Sequence, residues 1–342
     1  MRHRAQTIRD RLRRGSRRYA DWVDVLSDAV TAMRTGRPHS SRVRLPTPFG
    51  RRFPPVDGAG FHIVLQGSCW LFPPDDAPIA LGVGDVAFLP RGGAHGLADS
   101  PSTPLADAAA TSPAQTRPVT DDDAPRTGRH LANRSGTVML CGAYLLDRSR
   151  AHPLLSDLPD VIHLPARIGR HPGLRAAVDL LGDELDQPQP GGDAMLPALL
   201  EVLLLHILRA WFDEQATHGT ATGWAAALRD PAVAAALRAI HGDPSRQWTV
   251  EELGARAGLS RAAFARRFAA LVGQPPLAYL TWWRMTLAAR LLRDSDAPPA
   301  TIARKVGYNS EFAFAHAFKR EYGLAPGGYR QSAPMQEASS RQ

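Results

Sequence analysis

The spacing of apolar residues changes character along this chain, and each change marks a new kind of structure. Between residues 37 and 98 apolar residues come in runs of four or five, such as Phe61–Leu65, Cys69–Phe72 and Val86–Leu89, separated by Gly, Pro and Asp. Short runs bounded by turn residues predict antiparallel strands of a sandwich or barrel. Residues 99–135 are rich in Pro, Thr, Ala and Asp without periodicity, which predicts a long flexible loop. Strand character returns at Thr137–Leu146, and the spacing then becomes helical over Leu174–Leu185 and Ala194–Phe212. In the second helix Leu196, Leu199, Leu200, Leu203 and Ile207 form one stripe, flanked by Leu204, Leu208 and Trp211. A helix apolar around so much of its circumference is covered on more than one side, by the sheet, by a second subunit, or by both.

The last third contains an internal repeat. Leu253-Gly-Ala-Arg-Ala-Gly258-Leu-Ser260 is matched by Ile302-Ala-Arg-Lys-Val-Gly307-Tyr-Asn-Ser310, after which Phe264, Phe268, Gly273, Pro276 and Tyr279 match Phe314, Phe318, Gly323, Pro326 and Tyr329. Two copies of one supersecondary unit are therefore present. Each reads as a helix, a glycine turn and a second helix. Thr249 and Glu252 have the spacing of a capping box, Gly258 suits a left-handed turn, and Ser260 and Ser310 cap the second helices. Phe264, Phe268 and Leu271 form the predicted buried face in the first copy, and Phe314, Phe318 and Tyr322 in the second. Arg261, Ala262, Ala265, Arg266 and Ala269 lie opposite in the first copy, and Glu311, Phe312, Ala315, His316 and Lys319 in the second. Leu277–Arg293 has no helix breaker and joins the copies. Such a pair of helix-turn-helix units can read successive major-groove faces of one duplex, about 34 Å apart.

Charge supports this reading. Of a formal net charge of +8, residues 1–18 hold eight Arg and one Asp, and residues 230–330 hold fourteen Lys/Arg against eight Asp/Glu, so the remainder is acidic. A basic module on an acidic body predicts a polyanion partner for the module. The arginine-rich start is read as a disordered extension without a specific role. The longest apolar stretch, Leu196–Phe212, is broken by Pro197, Glu201, His206 and Arg209, and no apolar signal region follows the basic start. A cytoplasmic protein without a membrane partner is expected. Two cysteines, Cys69 and Cys141, are too few for a disulfide framework or a cysteine-rich zinc site.

The motifs TVEELGARAGLSRAAFARRF, WRMTLAARLL and GYNSEFAFAHAFKREYGLAPGGYR resemble the DNA-binding domain of AraC/XylS-type transcriptional regulators over about 100 residues. The resemblance implies seven helices, with recognition helices at about 260–271 and 310–321. It also implies contact with RNA polymerase, activation more often than repression, and promoter DNA as partner. By position, the candidate DNA-binding residues are Arg261, Ala262, Ala265, Arg266, Ser310, Glu311, Phe312, Ala315, His316, Lys319 and Arg320. Ala262 and Ala265 offer only methyl groups, which leaves Arg266 as the main hydrogen-bonding reader of the first site. His316 stands where the family usually has Arg, and Phe312 where a small polar residue is common.

Gly84-Asp-Val-Ala-Phe-Leu-Pro90-Arg-Gly92-Gly-Ala-His95 resembles the second cupin motif, and Phe61-His-Ile-Val-Leu-Gln-Gly67 the end of the first. Cupin-type sensor domains precede AraC-like modules. Metal-binding cupins need a His-x-His pair and a Glu before that glycine, and here RRFPPVDGAG provides neither, so no metal, cofactor or catalytic set is expected. His62, Val64, Trp70, Phe88 and His95 are the candidates for contacting a small-molecule effector. Cys69 and Cys141 are read as buried inert thiols, with a redox switch or a Cys/His zinc site with His62 and His95 as the alternative. A cupin oxygenase or isomerase with an accessory helical domain is the alternative, which bound metal with turnover would distinguish. A DNA-repair alkyltransferase is excluded by the absence of clustered cysteines.

The expected architecture is multidomain α+β. Residues 1–36 form a basic extension and helix, and 37–170 a cupin-like β-barrel sensor with the 99–135 loop. Residues 171–216 form a helical segment that makes a homodimer, and 217–227 a linker. Residues 228–330 form an all-α double helix-turn-helix, and 331–342 a disordered tail.

Overall fold

The computed structural model describes residues 23–107, 136–146, 152–219 and 222–339. The predicted roles of residues 1–18 and of most of the 99–135 loop fall outside the described residues. The chain divides into two compact units, a β unit within residues 34–221 and a helical unit that combines residues up to Met33 with 222–336.

The β unit contains β1 (His39–Pro46), β2 (Gly50–Phe53), β3 (Ala59–Gln66), β4 (Cys69–Phe72), β5 (Ile79–Leu81), β6 (Val86–Leu89), β7 (His95–Ala98), β8 (Ala106–Asp107), β9 (Gly136–Tyr144) and β10 (Ile162–Leu164). They form two five-stranded sheets in the orders β1-β9-β3-β6-β10 and β5-β4-β7-β2-β8. Strands β3 and β6 are buried on both faces, as expected of strands covered by the second sheet on one side and by helices on the other. Leu45, Val64, Cys69, Leu71, Ala87, Leu97 and Met139 fill the space between the sheets.

The expected closed barrel is corrected to an open two-sheet sandwich among the described residues. Closure needs a hydrogen-bonded ladder between the edge strands. Among the described residues the edges are β1 and β10 in one sheet and β5 and β8 in the other, and no ladder joins an edge of one sheet to an edge of the other.

After α2 (Pro153–Ser156), helices α3 (Pro172–Asp186) and α4 (Gly192–Thr217) pack on each other, and α4 lies against β1 and β10. The Tyr144 hydroxyl donates to the Leu200 carbonyl at 2.9 Å, fixing α4 to the sheet. Helix α4 is long and apolar enough to cross a membrane by length and composition alone. Its Leu200, Leu203, Leu204, Ile207 and Leu208 are nevertheless buried within the fold, as in a core helix.

The helical unit begins with α1 (Val25–Met33) and continues with α5 (Gly223–Ala227), α6 (Pro231–Gly242), α7 (Val250–Arg256), α8 (Arg261–Val272), α9 (Pro276–Asp294), α10 (Pro299–Lys305), α11 (Glu311–Tyr322) and α12 (Pro326–Ser339). Two segments depart from expectation. Within the predicted 217–227 linker, α5 buries Trp224, Ala225 and Ala227 and packs against α8. The predicted tail from 331 instead continues α12 as far as Ser339.

Both copies of the repeat take the predicted helix–turn–helix form. The reciprocal capping box at Thr249 and Glu252 is made, and the turn glycines Gly258 and Gly307 have φ of +69° and +82°. At Gly307 a side chain is also excluded by space, since a Cβ would lie 2.6 Å from the Ser245 carbonyl oxygen. The buried face of α8 ends on Val272, and the predicted Leu271 is half-buried. Tyr322 is half-buried at the edge of the second core, which Phe314 and Phe318 fill against Met285, Ala289 and Leu292 of α9.

Candidate nucleic-acid interface and the interior of the β unit

The two predicted recognition helices are α8 and α11. Ser260 and Ser310 cap them by accepting from the Ala263 and Ala313 amides at 3.4 and 3.3 Å, which orients the first turn. Because Phe264, Phe268 and Val272 bury one side of α8, Arg261, Ala262 and Arg266 are left exposed and Ala265 half-buried. Arg261 is paired with Glu251 at 3.0 Å, whereas Arg266 makes no ion pair among the described residues. Arg267, one position further round, pairs with Asp230, which also caps α6 through the Ala232 and Val233 amides. Its guanidinium braces α8 on α6.

On α11, Glu311, His316, Lys319 and Arg320 are exposed and Ala315 is half-buried. Arg320 reaches Glu321 at 3.5 Å, and Lys319 has no ion pair among the described residues. Phe312 is 82% exposed, although burial of an aromatic ring is ordinarily favourable. These positions offer one unpaired cation per helix, a large apolar group and an imidazole, a set suited to phosphates and base edges.

A residue that the sequence did not single out connects the two copies. Arg284 of α9 is buried and donates from Nε to the Pro244 carbonyl at 2.7 Å and from Nη2 to the Arg246 carbonyl at 2.8 Å. Gln247 in the same loop donates to the Gly307 carbonyl at 2.7 Å. The loop before the first unit is thereby pinned beside the turn of the second. The signal available in sequence was an Arg within an otherwise apolar stretch of helix.

Inside the β unit, strand alternation places His62, Val64, Met139 and Cys141 on the inner face of one sheet, and Phe53, His95 and Leu97 on the inner face of the other. His95 Nδ1 lies 2.9 Å from the Gly93 carbonyl oxygen, His95 Nε2 lies 2.7 Å from His62 Nε2, and His62 Nδ1 lies 3.1 Å from Cys141 Sγ. A carbonyl only accepts, so His95 Nδ1 carries a proton and Nε2 of the neutral ring accepts from His62 Nε2. His62 Nδ1 then accepts from the thiol. One backbone oxygen thus sets the direction of every hydrogen bond in the series.

The ionisation states agree with this assignment. Burial, then the neighbouring His95, pushes the His62 imidazole down to about 3, and burial also lowers His95 against the opposing effect of the Gly93 bond. Burial, then Cys69, pushes the Cys141 thiol up to about 12, so it remains protonated and donates. Cys69 is likewise pushed up to about 12, chiefly by burial. Neither thiol has the depressed pKa that makes cysteine reactive.

Cupins commonly hold a metal, and these donors do not fit one. His62 presents Nε2 to His95 and Nδ1 to Cys141, at opposite sides of its ring, so the three groups lie in series rather than around one point.

Of the five effector candidates, His62, His95 and Val64 share the interior. Phe88 faces the other way, toward the helices, in edge contact with Tyr144. Trp70 alternates with the inward-facing Cys69 and Leu71 and is only half-buried. Both depart from the predicted group because the alternation in β4 and β6 turns them outward from the sandwich interior. Phe53, stacked on His95 at 5.1 Å, belongs to the interior and was not foreseen.

Residues 24–213 match the cupin family and residues 253–332 the helix-turn-helix domain family. The chain is 36% identical over 315 residues to a putative AraC-like transcription regulator of Streptomyces lividans, covering 92% of this chain and 100% of that one. It is 33% identical to the HTH-type transcriptional regulator AlkR of Acinetobacter baylyi, covering 79% and 87% of the two chains. Identity to the RCS-specific HTH-type transcriptional activator RclR of Escherichia coli is 30%, covering 79% and 84%. Among solved structures, the DNA-binding domain of AdpA in complex with a target DNA is 35% identical, covering 32% of this chain and 97% of that one with a TM-score of 0.30. With its cupin domain, its duplicated helix-turn-helix and relatives that are regulators along nearly their whole length, the chain belongs to the AraC-type DNA-binding transcription regulators.

Proposed function

We propose that the chain activates transcription in the cytoplasm by placing α8 and α11 in adjacent major-groove faces of promoter DNA. A small molecule taken up by the β unit sets this activity. The observation that carries the reading is the repeated, capped helix whose exposed face bears an unpaired cation, Arg266 in one copy and Lys319 in the other. An activator among the named relatives supports the sign of regulation, and contact with RNA polymerase follows from it. The hydrogen-bonded series of His62, His95 and Cys141 is a polar interruption of an apolar interior, and its disturbance by a ligand is the signal. Exposed Leu180, Met195 and Val202 on α3 and α4 provide the surface for a homodimer. Regulation is by linkage, in which the effector favours one arrangement of the dimer over another.

Selection of duplexes from a random pool by the full chain, with and without candidate metabolites, tests this. The expected product is a bipartite site with halves about one helical turn apart. Failure to enrich any sequence refutes the proposal.

A further inference from the structure

Beneath each recognition helix a phenylalanine rests on a tyrosine whose hydroxyl is held. In the first helix-turn-helix unit the Phe268 ring of α8 meets Tyr279 edge-on at 5.9 Å, and in the second Phe318 of α11 meets Tyr329 edge-on at 5.3 Å. The two pairs are equivalent in the repeat. Arg293 Nη1 donates to the Tyr329 hydroxyl at 2.6 Å, and His241 Nε2 of α6 lies 2.7 Å from the Tyr279 hydroxyl. The His241 ring is also stacked on Trp283, with ring centroids 4.0 Å apart.

The two supports differ in origin. Arg293 belongs to α9, the helix that joins the units. His241 takes its direction from Asp28 of α1, which accepts from Nδ1 at 3.3 Å. A carboxylate only accepts, so Nδ1 carries the proton and Nε2 of the neutral ring accepts from Tyr279. Burial lowers the His241 imidazole against the opposing effect of Asp28, in keeping with a neutral ring. Helix α1 is itself fixed in the helical unit. It packs against α6 and α9 with Val25, Leu26, Ala29, Val30 and Met33 buried, and Asp24 caps it by accepting from the Leu26 and Ser27 amides at 3.1 and 3.3 Å.

We propose that Asp28, acting through His241 and Tyr279, is a positioning residue for α8, and that Arg293, acting through Tyr329, is its counterpart for α11. The proposal rests on the DNA-binding reading above and deepens it, since each half of the DNA site is then read only as well as the hydrogen bond behind its helix is made. Phe268 is fully buried and lies two positions after the exposed Arg266, so the tilt of the Tyr279 ring sets where that guanidinium stands. Hydrogen bonds to base edges weaken steeply with angle, and a reading side chain needs its supporting contacts locked. The second core, with Phe314 and Phe318 against Met285, Ala289 and Leu292, does not include Tyr279. The two supports therefore act on separate halves of the site.

The full chain is compared with Asp28→Leu, Asp28→Asn and Arg293→Met, on a duplex it selects and on two derivatives in which one half or the other is scrambled. The half whose scrambling matters less after Arg266→Ala is the one read by α8. In Asp28→Leu the affinity lost on scrambling that half is expected to shrink by about fivefold or more, the equivalent of one mismatched base pair, while the loss at the other half stays as it was. Arg293→Met is expected to show the reverse. Asp28→Asn keeps an oxygen for His241 to donate to and should behave as the unaltered chain. The Asp28 side chain is 43% exposed, so its replacement leaves the core closed. Tyr279→Phe keeps the buried ring, removes only the hydroxyl and should match Asp28→Leu, which makes the comparison a second time at another residue. Equal losses at both halves in Asp28→Leu and Tyr279→Phe, as general destabilisation gives, overturn the proposal, and so does unchanged discrimination in both. Failure of the full chain to select any duplex removes the DNA-binding reading itself.

Discussion

Replacing His62 by Gln should flatten the pH dependence of the β unit's stability. The folded state holds the His62 imidazole at about 3, against 6.5 for an ordinary histidine, because the ring is buried and its neighbours are His95, Cys141 and Phe53. A proton accepted by the unfolded chain and refused by the folded one favours unfolding. The contribution is thus intact above pH 6.5 and is lost as the pH falls from there toward 3. At pH 5 the linked loss is about 2 kcal/mol, growing by about 1.4 kcal/mol per further pH unit. For a unit of about 150–250 residues this corresponds to a fall of roughly 4–8 °C in Tm. Calorimetry of the full chain between pH 7.5 and 4.5 follows the transition of the β unit. The variant loses the hydrogen bonds to His95 and Cys141 and starts from a lower Tm at pH 7.5, so slopes rather than midpoints carry the comparison. His95, also lowered by burial, contributes with the same sign. Parallel profiles for the two proteins below pH 6 would refute the buried, neutral assignment of His62.

Four substitutions address the helical unit. Arg266→Ala should cost about 1–3 kcal/mol in DNA affinity and relax the preference at one base pair, while Lys319→Ala weakens binding to all sequences about equally, as competition between matched and mismatched duplexes will report. Identical behaviour of the two would remove the distinction between a reader and a phosphate anchor. Phe312 is expected to pack on a thymine methyl, so deoxyuridine at that position of the selected site should cost about 0.8 kcal/mol, about fourfold in Kd, and should cost nothing in Phe312→Ala. Arg284→Met should lower the stability of the helical unit by about 2–3 kcal/mol, because two carbonyls lose a charged donor, and denaturant unfolding measures this directly.

The duplication in the last third of the chain was legible because local rules set it. Helix caps, turn glycines and a four-residue Phe spacing act within a few residues, and they placed α8 and α11 within one residue of their observed starts. The identity of the exposed faces followed, since burying Phe264 and Phe314 leaves only one side of each helix to solvent. The strands of the β unit were visible for the same reason, as short runs between turns.

Partnership between distant segments was decided by the tertiary structure alone. No local pattern says that the described strands will form two separate sheets instead of one closed barrel, or that Trp70 and Phe88 will face outward while Phe53 faces in. Strand register did that, because a shift of one residue exchanges the faces. Register also aligned His62 with Cys141, 79 positions apart, and sheet stacking brought His95 onto the far nitrogen of the same ring. Helix α1 is the clearest case. The sequence reading places a helix within residues 1–36, but only the packing of this helix on α6 and α9, with Ala29 and Val30 buried and Asp28 on His241, makes it part of the helical unit. Helix propensity depends on neighbours in sequence, whereas the choice of a packing partner depends on which apolar surfaces are left uncovered once the rest of the chain has folded.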